Sequence, residues 1–145
     1  MQPLSYPAAL KKELDGQGFV VTFPDLPEAL TSGEDLVDSL REAADCLGEA
    51  LAGRIVRGDS LPAPSNPRKR HHPVPAPLNL APKVALCVAM RERGMSGREL
   101  AWQLGCRETA VRQTLDPKRE SEPDRLQVAL RKLCKSLVLD VDDAA

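Results

Sequence analysis

Apolar and polar residues change their spacing along this chain, and the changes divide it into two differently built halves. Gly18-Phe19-Val20-Val21-Thr22-Phe23 gathers β-branched and aromatic residues behind the turn signal Leu14-Asp15-Gly16-Gln17-Gly18, which predicts a strand with its hairpin partner within Leu4 to Leu14. Pro24 and Pro27 end that strand because neither can donate to a ladder, and Ala29 to Ser32 suits a third short strand. The period then lengthens. Leu36, Leu40, Ala43, Ala44, Leu47 and Leu51 share one helical face, with Asp38, Arg41, Glu42, Asp45 and Glu49 largely on the other, which predicts a helix over Glu34 to Gly53. Its acidic first turn complements the helix dipole. Three strands and a helix describe a small α+β layer whose helix covers one sheet face.

Periodicity lapses over Leu61-Pro62-Ala63-Pro64-Ser65-Asn66-Pro67, which reads as an extended connector. In His72-Pro73-Val74-Pro75-Ala76-Pro77-Leu78 the prolines recur at every second residue, so they remove donors from one edge and leave Val74, Ala76 and Leu78 to pair through the other. An edge strand and a polyproline II linker both fit. Helical spacing returns at Lys83 to Arg93, with Val84, Cys87, Val88 and Met90 inward and Gly94 as terminator. Ser96-Gly97-Arg98-Glu99 has the spacing of a capping box. The helix it opens carries Leu100, Ala101 and Leu104, and Gly105-Cys106-Arg107 separates it from a helix containing Ala110, Val111 and Leu115. Two short helices joined by a glycine turn predict a helix-turn-helix from Ser96 to Leu115. A last helix, Asp124 to Cys134, turns Leu126, Ala129, Leu130 and Leu133 inward. Beyond it, Leu137-Val138-Leu139-Asp140-Val141 alternates like a strand, and Leu137, Leu139 and Val141 are candidate dimer contacts across a two-fold axis.

Charge sharpens the division. The chain has 145 residues and a formal net charge of −1, room for two short domains. Residues 1–66 hold 5 basic and 11 acidic side chains, a net of −6, whereas residues 83–139 hold 12 basic and 7 acidic ones, a net of +5. Arg68-Lys69-Arg70 adds three positive charges between them. A basic domain draws polyanions by releasing their counterions, and an acidic one suits a basic protein surface. No apolar run approaches the roughly 18 to 20 residues a bilayer span needs, and the first residues lack the pattern of a signal peptide, so a cytoplasmic protein is expected.

Candidate chemistry concentrates in the second half. Arg107, Glu108, Thr109, Arg112 and Gln113 lie toward the N-terminal end and outward face of the second helix of the pair, where arginine can read guanine and glutamine adenine. Lys118 and Arg119, just past Pro117, are placed to hold phosphates; Ser96 and Arg98 complete the candidate DNA contacts. Trp102, in mid-helix, is expected to pack. Cys46, Cys87, Cys106 and Cys134 are far apart, with no CxxC pair, and are expected as buried reduced thiols. His71 and His72 carry no assigned chemistry. Two-metal phosphodiester cleavage needs several converging carboxylates, and Asp15 and Asp25 offer no such set. No catalytic, cofactor or metal residue is assigned.

Both halves together resemble the HicB family of antitoxins from bacterial and archaeal toxin–antitoxin pairs. The resemblance rests on Tyr6-Pro7-Ala8, on Gly18-Phe19-Val20-Val21-Thr22-Phe23-Pro24-Asp25-Leu26-Pro27, on Thr31-Ser32-Gly33-Glu34 and on Leu61-Pro62-Ala63-Pro64-Ser65. Glu99-Leu100-Ala101, Leu104-Gly105, Val111 and Leu115-Asp116-Pro117 are similar to lambda-repressor-like helix-turn-helix domains. The resemblance implies a partial ribonuclease-H-like domain over residues 1–78 that binds and covers a small basic HicA-type ribonuclease toxin. Over residues 79–145 it implies a helix-turn-helix domain that binds the operator as a homodimer or homotetramer and represses the operon. Phe23, Asp25, Leu26 and Glu28 are the candidate toxin contacts. The chain departs from the family pattern at Glu28-Ala29-Leu30, at Asp35 and at Asp38-Ser39. The competing reading is a stand-alone repressor whose acidic domain senses a ligand.

Overall fold

The structure, a computed structural model, describes residues 4–141 and residue 143. It is α+β, with four strands and five helices among the described residues: β1 (Ser5–Lys12), β2 (Phe19–Thr22), β3 (Leu30–Gly33), α1 (Leu36–Arg57), β4 (His71–Pro75), α2 (Ala81–Glu92), α3 (Gly97–Leu104), α4 (Glu108–Leu115) and α5 (Pro123–Lys132). The strands form one antiparallel sheet in the order β3-β2-β1-β4.

The proline-spaced segment is an edge strand. Ala76 N donates to Leu4 O at 3.0 Å, which makes Leu4/Ala76, Tyr6/Val74 and Ala8/His72 the hydrogen-bonded pairs of the β1–β4 ladder. Pro73 and Pro75 occupy the alternate positions, where an amide would point away from β1. Pro7 sits opposite Pro73, in the half of β1 that β2 does not reach, since the β1–β2 ladder begins at Ala9. No ladder donor is lost at any of the three.

Period-two alternation turns Tyr6, Ala8, Val21, Phe23, Val74 and Ala76 to one face, where Ala43, Leu47 and Leu51 of α1 cover them. Each fully buried leucine there contributes roughly 1.5–3 kcal/mol. Asp35 caps α1, its carboxylate accepting from Asp38 N at 2.8 Å. The helix begins two residues later than its pattern predicts and runs past Gly53 to a left-handed cap at Gly58, ending four residues later. Arg54 and Arg57 lie in that extra turn, and their ion pairs hold it. At Gly33 a Cβ would fall 2.5 Å from the backbone of Ser39, so the close approach of β3 to α1 requires glycine.

A second core gathers Leu86, Ala89, Leu100, Ala101, Val111, Leu126, Ala129, Leu130 and Leu133 from α2 through α5. Helix α2 serves both cores, because Val84 and Val88 face the sheet core while Leu86, Ala89 and Met90 face the helical one. A boundary between residues 78 and 79 therefore falls just before a shared helix. Residues 58–70 are no free connector either: Leu61 is buried in the sheet core, Tyr6 Oη donates to Pro62 O at 2.8 Å, and Arg91 Nη1 donates to Leu61 O at 3.3 Å.

The expected terminal strand does not form within the single chain, since residues 135–141 carry no strand assignment. Leu137 instead packs against its own helical core, and its amide donates to Gln127 Oε1 at 2.9 Å. Leu139 and Val141 stay exposed.

Candidate functional site

Three local devices fix α3 against α4. Ser96 and Glu99 form the full capping box, with Glu99 N donating to Ser96 Oγ at 3.1 Å and Ser96 N donating to Glu99 Oε2 at 3.2 Å. Gly105 then closes α3 in the left-handed region, at φ 68°, where its amide meets the carbonyls of Ala101 and Trp102. The third device was not legible in the sequence. Lys83 of α2 is 2% exposed, and its Nζ donates to Asp116 O at 2.5 Å and to Arg119 O, so the ammonium anchors the chain as it leaves α4. Desolvation lowers the Lys83 pKa against the weaker pull of Asp116, and the two carbonyls offset the cost of burying the charge.

On this frame, Arg107, Glu108, Thr109, Arg112 and Gln113 are all exposed, as are Ser96, Arg98, Lys118 and Arg119. Arg107 is the N-cap of α4 but makes no side-chain cap bond, which leaves the first-turn amides without a side-chain acceptor from that residue. Arg112 lies 3.9 Å from Glu108 and stays 74% exposed, so the pair holds it loosely. The Ser96 hydroxyl oxygen serves the capping box and retains its hydrogen for donation. Arg119 pairs with Asp116 at 3.7 Å. Glu108, Arg112, Gln113, Lys118 and Arg119 form one wall of a groove of about 700 Å³ whose other wall includes Ile55, Val56 and Asp59 at the end of α1.

Trp102 does not pack. It is 83% exposed, because Leu100, Ala101 and Leu104 already give α3 its inward side and Trp102 falls on the opposite one. Cys106 and Cys134 are also exposed, contrary to the expectation for free thiols, while Cys46 and Cys87 are half-buried. Burial pushes the Cys87 thiol up to about 11.

The expected toxin contacts fare differently from the DNA contacts. Phe23 and Leu26 are 1% and 0% exposed, so they are core residues with no surface to offer a partner. Their position beside two prolines resembles a loop, but strand alternation carries Phe23 onto the α1 face and a turn tucks Leu26 under it, with Leu26 N bonded to Phe23 O at 3.1 Å. Asp25 accepts from Ser65 N at 2.9 Å and from Ser65 Oγ at 3.1 Å. Glu28 binds Arg54 through both oxygens, at 2.5 and 2.9 Å, and this hydrogen-bonded pair holds its carboxyl down at about 2. Asp25 ties the residue 58–70 crossover directly to the β2–β3 connection, and Glu28 does so through Arg54 of α1, whose Nη1 donates to Ser60 O at 2.7 Å. Among the acids without such duty, Asp45 and Glu49 stand exposed one turn apart on the outer face of α1 and form no ion pair among the described residues.

No helix among the described residues is long and apolar enough to cross a membrane. Residues 5–85 match the family model described as the HicB-like antitoxin of bacterial toxin–antitoxin systems. The chain is 30% identical to antitoxin HicB of Escherichia coli K12 over 94% of its own length and 98% of that protein's. It is 34% identical to antitoxin HicB 2 of Photorhabdus laumondii subsp. laumondii, over 94% and 95% respectively. The family-model match and these nearly full-length similarities show that this chain belongs to the HicB-like antitoxin family.

Proposed function

We propose that this chain neutralises a small basic HicA-type ribonuclease toxin with its sheet half and represses its own operon by reading operator DNA with α4. In this reading α3, the Gly105 turn and α4 are a helix-turn-helix, and the sheet with α1 is a partial ribonuclease-H-like domain. The carrying observation is that α4 holds Arg107, Thr109, Arg112 and Gln113 out to solvent on a rigid frame, within a chain of an antitoxin family. Arg112 and Gln113 read base edges, while Lys118 and Arg119 hold phosphates. Leu139 and Val141 are the remaining dimer contacts, and removing residues 136–145 lowers the mass seen by light scattering.

For the toxin, the proposal moves from Phe23, Asp25, Leu26 and Glu28 to the outer face of α1, where Asp45 and Glu49 offer charge to a basic partner. In a gel-shift titration Arg112→Ala costs roughly 1–3 kcal/mol of operator preference, whereas Lys118→Ala weakens all sequences alike. If neither substitution changes binding, α4 is not the reading helix. The double variant Asp45→Lys with Glu49→Lys abolishes growth rescue on co-expression with a HicA-type toxin of the same operon; full rescue would return the toxin contact to another surface.

A further inference from the structure

Five cations meet at one corner of the sheet. Lys11 and Lys12 close β1, and Arg68, Lys69 and Arg70 lead into β4, whose first residue, His71, stands opposite Ala9 in the ladder. A tight turn holds the second group in place, with His71 N donating to Arg68 O at 2.9 Å and Arg68 N donating to His71 Nδ1 at 3.3 Å. All five side chains are exposed. The other arginines of the sheet half each have a carboxylate, Arg41 with Asp38, Arg54 with Glu28 and Arg57 with Asp59. Among the described residues, none of the five forms an ion pair. The nearby acids are the half-buried Glu13, the exposed Asp15, which accepts from Gln17 N at 2.9 Å, and, on the far side of β2, the exposed Glu34 and Asp35 that follow Gly33, of which Asp35 caps α1.

Edge protection does not account for the cluster. Cations along an exposed edge discourage strand addition, and Lys11 and Lys12 do border the stretch of β1 that β4 leaves uncovered, but Pro73 and Pro75 already remove donors from the β4 edge, and Arg68, Lys69 and Arg70 lie beyond its paired residues. The charges are therefore available to a ligand. The register also fixes where that ligand sits: Lys12, Phe19 and Gly33 share this end of the sheet. From this end α1 departs, and its 22 residues run about 33 Å to the groove beside α4.

We propose that this corner is a second nucleic-acid contact, which takes the phosphate backbone of double-stranded DNA without regard to sequence, at the end of the molecule opposite α4. Backbone contact follows from the side chains present, because single-stranded binding relies on aromatic platforms for the bases. Tyr6 and Phe23 are buried, Phe19 is half-buried and Trp102 lies on the helical half. Duplex DNA presents its phosphates at the density that rewards counterion release by clustered lysine and arginine. A stiff duplex lying on α4 does not fold back to the far end of the same protomer, so the corner grips a separate segment. The chain would bridge two stretches of DNA.

The test uses the full chain carrying Arg112→Ala and Lys118→Ala, with a fluorescent duplex of scrambled sequence read by anisotropy across a salt series. This protein retains duplex binding at low salt, and adding Lys11→Gln, Arg68→Gln and Arg70→Gln lowers affinity at least tenfold. The slope of log affinity against log salt flattens by about 3, as expected when three phosphates are no longer neutralised. An unchanged affinity and slope would overturn the proposal. So would binding confined to a single-stranded RNA of the same length, or to vesicles of anionic lipid.

Discussion

The sheet half and the helical half use their polar side chains in opposite ways. In the sheet half the conspicuous carboxylates are occupied internally: Asp25 holds Ser65, Glu28 holds Arg54, and with Tyr6 on Pro62 they fasten a crossover that the strands alone would leave loose. In the helical half Glu108, Thr109, Arg112 and Gln113 of α4 reach solvent, because Lys83, Gly105 and the capping box fix the backbone without them. Sequence displays both sets as charged surface. An acid or a base is free for a partner only when another residue has taken over the structural task, and that division differs between the halves.

The largest expected effect is on the two cores, which unfold together. Leu47→Ala in the sheet core and Leu130→Ala in the helical core each cost about 2–5 kcal/mol, and both lower one common urea transition followed by circular dichroism, because α2 contributes to both cores. Two separated transitions would show that α2 does not couple them. Lys83→Ala has the next largest effect. It leaves the Asp116 and Arg119 carbonyls without their donor and costs about 1–3 kcal/mol. Under the proposed reading of α4, affinity for operator DNA in a gel-shift titration falls with it, although Lys83 itself is buried; unchanged affinity would mean that α4 keeps its position unaided.

The smallest effect concerns the ion pair that fastens the crossover. The folded Glu28 carboxyl titrates near 2, below the ordinary value of 4.5, with the Arg54 hydrogen bonds as the leading cause. Its stabilisation is thus fully present above pH 4.5 and is lost as pH falls toward 2. With the Glu28 side chain 37% exposed, solvent screening holds the contribution to about 1 kcal/mol or less. Glu28→Gln consequently lowers the thermal midpoint slightly at pH 7 and converges with the parent as pH falls through that window. An equal deficit at every pH would point to lost packing rather than lost charge.

What the chain reveals by itself is whatever is decided within a few residues. The capping box of Ser96 and Glu99 and the stop at Gly105 were legible because each depends on an amide or carbonyl at most four positions away, whereas the alternating prolines of β4 fitted an edge strand and a polyproline II linker alike until β1 supplied the partner. Apolar periodicity likewise placed α1, the inward face of α5 and the Val84–Val88 face of α2, but not the second face of α2, where Leu86 and Ala89 enter the helical core. Tertiary structure decided the rest. Phe23 and Leu26 look like an exposed proline-flanked loop until α1 covers them, and Asp25 finds Ser65 only when the crossover comes back 40 residues later. The reach of Lys83 to the end of α4 spans more than thirty positions, and the outward side of Trp102 was fixed by which leucines reached the helical core first. Net charge showed an acidic half, but only the ladder register brought Lys11 and Lys12 beside Arg68, Lys69 and Arg70. Local hydrogen bonds are written in short spacings; long-range charge and burial depend on what folding places opposite, and that no short window contains.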